Sequence, residues 1–170
     1  MASAPKTGLP ILYKDLVPLN SKEHGNWRAR TVGKAPWVAH QHAIPLTAEE
    51  FPLAQRHFPI VFSAGENSVP LALMGLNDGS PIGTPYMPAY IRRYPFLLAK
   101  LNKDSDNLSL CFDPNTDVLG EFEDGEKLFD DDKTPSEYSK GLLGFCEKFE
   151  EAGNRTQAFM QELRKAELLM

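Results

Sequence analysis

The sequence is short of cysteine, of positive charge and of long apolar runs, and each shortage removes a class of protein. Two cysteines in 170 residues are too few for the disulfide framework of a small secreted domain. A formal charge of −5 argues against a nucleic-acid partner, whose phosphates attract a basic face. No window approaches the roughly 18 apolar residues of a spanning helix, and Met1–Asp15 holds no apolar core of a signal peptide. Also missing are a Walker loop, Gly-x-Gly-x-x-Gly, Gly-x-Ser-x-Gly and His-Glu-x-x-His, which lowers the expectation of an enzyme. No cofactor is implied. A soluble, cytoplasmic protein is expected.

What is abundant is proline. Fourteen prolines break the first two-thirds into short elements. An apolar fraction of 42% is ordinary for a globular chain, and the length suits a single domain over residues 11–170 behind a flexible leader at 1–10. Charge is unevenly spread: Met1–Ile60 carries seven Lys/Arg against four Asp/Glu, whereas Asp104–Glu151 carries fifteen acids against four bases. The acidic stretch reads as a solvated face or as a docking surface for a basic partner.

Apolar runs at 59–62 and 69–76, and again at 96–101 and 108–112, predict two strand pairs in a mostly antiparallel sheet. A strand is also expected over His40–Pro45. Thr47-Ala-Glu-Glu50 is a capping-box pattern, and a short helix with Phe51, Ala54 and Phe58 inward should follow it. A helical turn is expected at Ala89–Arg93, and a minor hairpin around Asp124-Gly125. Thr134-Pro-Ser-Glu137 offers an N-cap, Pro at the first helical position and a capping acid. Tyr138, Leu142, Phe145, Cys146 and Phe149 then recur at helical spacing. Gly153-Asn154 predicts a break, with a second helix presenting Phe159, Leu163, Ala166 and Met170. The expected fold class is α+β, with this C-terminal pair of amphipathic helices packed on the sheet. Cys111, in a strand-like run, and Cys146, on the helical stripe, read as buried reduced thiols.

Three segments together resemble a known family: Tyr13–Asn20 followed by His24, Pro59–Phe62 with Leu71–Leu76, and the string Tyr86-Met-Pro-Ala-Tyr-Ile-Arg-Arg-Tyr-Pro-Phe96. Over nearly the whole chain the order resembles the bacterial SapC family. The resemblance implies surface-layer association, or a peptide-transport permease label that sits badly with a chain lacking a spanning segment. It also implies a C-terminal continuation, so the apolar ending Ala166–Met170 reads as a cut.

The candidate binding segment is the Arg/Tyr/Pro-rich string. Arg92 and Arg93 can recognise carboxylate or phosphate by paired hydrogen bonds, while Tyr86, Tyr90 and Tyr94 can stack or donate. The plainer reading is that one arginine staples a proline-rich loop. His40 and His42, two apart on a strand, would share a face and supply half a metal site, to be completed by His24, His57 or an acid. Hydrogen-bonded or surface histidines are the plainer reading there. Asp130–Asp132 suits the start of a helix; Trp27 and Trp37, amid basic residues, suit a stacking surface or, more plainly, packing. The expected function is non-enzymatic binding of a protein partner or a small anionic ligand. The alternative is an enzyme or carrier acting on a small acidic or peptidic metabolite. Self-association stays open.

Overall fold

The computed structural model describes residues 8–31, 35–38, 41–74, 86–101 and 107–169. In chain order its elements are β1 (Val17–Pro18), α1 (Ser21–His24), β2 (Arg28–Ala29), β3 (Ala43–Pro45), α2 (Phe51–Ala54), β4 (Ile60–Phe62), β5 (Pro70–Leu73), α3 (Ala89–Arg93), β6 (Phe96–Lys100), β7 (Leu108–Phe112), β8 (Leu119–Gly120), β9 (Glu126–Lys127) and α4 (Glu137–Lys165). The fold class is α+β, as expected. Two compact units divide it: Met1–Gly33 with Arg93–Glu147, and Lys34–Arg92 with Lys148–Met170.

The first unit holds two three-stranded antiparallel sheets, β1-β7-β6 and β8-β2-β9. The expected pair β6–β7 forms, with Phe96 opposite Phe112 and Lys100 opposite Leu108. Phe96, Leu97 and Leu98 are buried in succession, as befits a strand covered on both faces. Tyr13, Leu16, Leu97 and Cys111 form one core cluster. The Tyr13 hydroxyl donates to the Phe96 carbonyl at 2.6 Å. Beside it, His24, Trp27 and Phe112 meet edge-to-face, with ring centroids 4.7–5.5 Å apart. That geometry suits the ring quadrupoles. Trp27 is therefore a packing residue.

The hairpin expected at Asp124-Gly125 takes another form. Gly125 does turn, at a φ of 101°, but β8 and β9 both pair with β2 and not with each other. The side chains explain this. Arg28 donates to the Gly125 carbonyl at 2.8 Å, and Arg30 pairs with Asp124 at 2.6 Å. A Cβ on Gly125 would lie 2.5 Å from the Ala29 carbonyl oxygen, so glycine lets the turn close down on β2.

The second unit contains the sheet β3-β5-β4, and the expected 59–62/69–76 hairpin appears as β4–β5, with Val61 opposite Leu71. The apolar runs thus lie in two separate sheets and not in one. Thr47 and Glu50 form the capping box, although the turn it opens, Ala48–Glu50, is a 3-10 helix that passes into α2. Ala54 and Phe58 are buried with Leu46 and Ala72.

The C-terminal region departs most from expectation. The helix begins at Glu137, two residues late for a Thr134 cap. A bridge between Phe129 and Pro135 and the Asp130 N–H bond to the Thr134 carbonyl hold 130–135 in a turn. Ser136 takes the cap, its hydroxyl oxygen accepting from the Ser139 N–H at 3.2 Å. Gly153-Asn154 does not break the helix; α4 runs for 29 residues. A mid-helix glycine costs only about 1 kcal/mol, and the buried stripe Cys146, Ala152, Thr156, Met160 continues across it. Continuity also shifts the face: Met160 is buried, while Phe159 is 39% exposed. The expected helix pair is one helix. Among the described residues, no helix is long and apolar enough to cross a membrane.

Candidate functional site

The Tyr86–Phe96 string is held by a carboxylate from outside it. Glu50, 7% exposed, accepts four hydrogen bonds. Its Oε1 takes the Tyr86 hydroxyl and the Ala89 N–H, both at 2.7 Å. Its Oε2 takes the Thr47 N–H and hydroxyl, both at 2.9 Å. A buried carboxylate is tolerable only when its lone pairs are filled in this way. The capping motif located Glu50 from the sequence, but nothing local announced Tyr86 and Ala89, 36 and 39 residues away. Burial and the bond to Glu50 hold the Tyr86 phenol well above its usual range. The imidazole of His57 stacks on the same ring at 6.3 Å, 12° from parallel.

Pro88 starts the helical turn, its carbonyl accepting from the N–H groups of Ile91 and Arg92. Four of the five residues of α3 are buried, among them Tyr90, Ile91 and Arg93; Arg92 is exposed. The predicted binding residues are thereby divided. Tyr86, Tyr90 and Arg92 belong to the second unit, and Arg93 and Tyr94 to the first. Arg93 is 3% exposed, with its guanidinium carbon 5.6 Å from the centroid of the Tyr13 ring, within reach of a cation–π contact. Tyr94 meets Tyr13 edge-on at 5.4 Å, and burial, then the charge of Asp113, raises its phenol pKa. Of the two arginines, Arg93 is thus buried and Arg92 exposed.

The other candidates take structural places. His24 is buried, its Nδ1 3.1 Å from the Asn20 nitrogen and carbonyl oxygen. His42 is exposed, and its proposed partner His40 lies outside the described residues. Among the described residues no group of three or more His, Cys, Asp or Glu could hold a metal. Asp132 accepts from the Thr134 hydroxyl and N–H, and Asp131 pairs with Lys127 at 2.7 Å. Cys111 and Cys146 are buried thiols, and burial pushes the Cys111 pKa up to about 11.

Sequence reasoning missed a cleft of about 450 Å³ within the second unit. One wall is a face of α4 from Phe149 to Arg164; the other comes from Pro45–Thr47, Glu66–Pro70 and Tyr90. Its size is that of a small-molecule site.

Compared with known families, residues 19–170 match the model described as SapC. The chain belongs to the SapC family. No curated protein and no solved structure matches it. The SapC match takes in the whole Tyr86–Phe96 string, Glu50 and every residue that lines the cleft.

Proposed function

We propose that this SapC-family chain is a non-enzymatic binding protein that meets an anionic partner, a carboxylate-bearing protein surface, through Arg92. The observation that carries this reading is the division of the arginine pair: Arg93 is buried and Arg92 exposed on one short helix. Glu50 fixes that helix at Tyr86 and Ala89, so Arg92 is displayed from a rigid base, and less freedom is lost when it binds. The two buried thiols support a reducing, cytoplasmic setting.

The test begins with recovery of a partner from native lysate by the full chain, followed by titration of the purified partner. Arg92→Ala should weaken binding at least ~10-fold, the loss of a charge-assisted pair. Its effect on stability should stay within about 0.5 kcal/mol. Unchanged affinity, or a sharp fall in melting temperature, would defeat the proposal. A second reading, carriage of a small ligand, is favoured by one observation: Tyr90 lines the cleft.

A further inference from the structure

The cleft in the second unit runs along one face of α4, with a cation at one end of that face. Phe149, Gly153, Thr156, Met160 and Arg164 line it from α4, at intervals of three and four residues, so they share one face of the helix. From Phe149 to Arg164, fifteen rises of about 1.5 Å make this wall about 22 Å long. Phe149 and Met160 from α4 and Leu46, Val69, Pro70 and Tyr90 from the other wall give it apolar surface, and Gln157 and Gln161 also line it from α4. Met160 adds an adaptable surface.

Two threonines that line the middle have their polarity turned elsewhere. The Thr156 hydroxyl donates to the Ala152 carbonyl and accepts from the Ala48 N–H, and the Thr47 hydroxyl is spent on Glu50. What they leave to an occupant is mostly methyl surface. At the far end stands Arg164, whose guanidinium donates to the Gly65 carbonyl at 3.3 Å and so is held over the turn that closes the cleft. Glu66 lies at the same end, exposed.

Gly153, which lines the cleft, sits mid-helix, where glycine is the costliest ordinary residue; as at Gly141 and Gly144 of α4, a Cβ there would meet no atom within 4 Å. Packing within the protein does not require the glycine. The space left by its missing side chain belongs to the cleft.

We propose that this cleft binds a single-chain aliphatic carboxylate, with the hydrocarbon along the Phe149–Met160 face and the carboxylate at Arg164. A linear chain matches a wall that extends along one helix face, and a guanidinium is the side chain best shaped for a carboxylate. The site is separate from the Arg92 surface and stands or falls apart from it.

The experiment is calorimetric titration of the full chain with decanoate, decanol and decyltrimethylammonium, below their micelle-forming concentrations. Decanoate should bind at one site and raise the melting temperature, and decyltrimethylammonium should bind at least ~10-fold more weakly. Gly153→Leu should abolish decanoate binding while the melting temperature holds or rises. Gln157→Trp, at an exposed lining position, fills the same space should the first variant fold poorly. Arg164→Gln should weaken decanoate at least ~10-fold and leave decanol unchanged. Absence of saturable decanoate binding would overturn the proposal, as would binding that survives both filling variants. Loss of binding on Glu66→Gln with none on Arg164→Gln would overturn the anionic head.

Discussion

Asp113 in the first unit and Glu50 in the second are both buried carboxylates, and they bind their surroundings differently. Asp113 is wholly inaccessible. It accepts from the Lys14 N–H at 2.7 Å and from the backbone and side-chain amides of Asn115 at 2.9 and 2.8 Å. Its partners are turn backbone and one neighbouring amide, so it closes a turn after β7 and anchors the N-terminal segment. Glu50 instead gathers a hydroxyl, a phenol and two N–H groups, and the phenol and one of those N–H groups start the segment that ends in exposed Arg92. One carboxylate secures a fold element; the other also orients a candidate binding residue. Burial alone does not separate the two roles. The partners do.

Removing either carboxylate should give the largest effects. Glu50→Ala strands donors on buried Thr47 and Ala89, each worth about 1–3 kcal/mol when buried and unmet, whereas the donors to Asp113 belong to exposed Lys14 and Asn115 and can turn to water. We expect a loss of about 3–5 kcal/mol at Glu50 and a smaller one, about 1–3 kcal/mol, at Asp113 by denaturant titration. The comparison sharpens at a second readout, since only Glu50→Ala should also weaken the Arg92-dependent association once corrected for folded fraction. Equal effects on binding from the two variants would erase the distinction.

A smaller effect concerns His24, which burial among Trp27 and Phe112 pushes below its ordinary pKa of 6.5. The Asn20 backbone and the Glu23 charge act in the opposite direction and are outweighed. Between the folded pKa and about 6.5 the unfolded chain binds more protons, so stability is complete above that range and falls as pH is lowered through it. Melting curves from about pH 7.5 to 5 should show this decline, and His24→Gln should flatten it. An identical slope in the variant would place the titration elsewhere.

Local patterns in the sequence were legible, and long-range ones were not. The β4–β5 and β6–β7 pairs follow from apolar runs divided by turns, and the Thr47–Glu50 box follows from its spacing. The two-arginine argument, that adjacent side chains on a helical turn diverge, matches where Arg92 and Arg93 lie. The partition into separate sheets was hidden, because β1 and β3 are two- and three-residue strands whose pairing depends on residues far along the chain. Gly153-Asn154 misled because a propensity penalty near 1 kcal/mol is small beside the burial of a helix face on both sides of it. The cleft had no local signature at all: its walls come from four separate stretches of the chain, and one lining residue, Gly153, carries no side chain.

The central claim is that the Glu50 carboxylate fixes the Tyr86 segment and thereby displays Arg92. A double-mutant cycle of Glu50→Gln and Tyr86→Phe, read by equilibrium denaturation, tests it most directly. The account predicts that the two losses overlap, with a coupling of about 1–3 kcal/mol for a hydrogen bond to a charged group. Additivity within about 0.3 kcal/mol would contradict it.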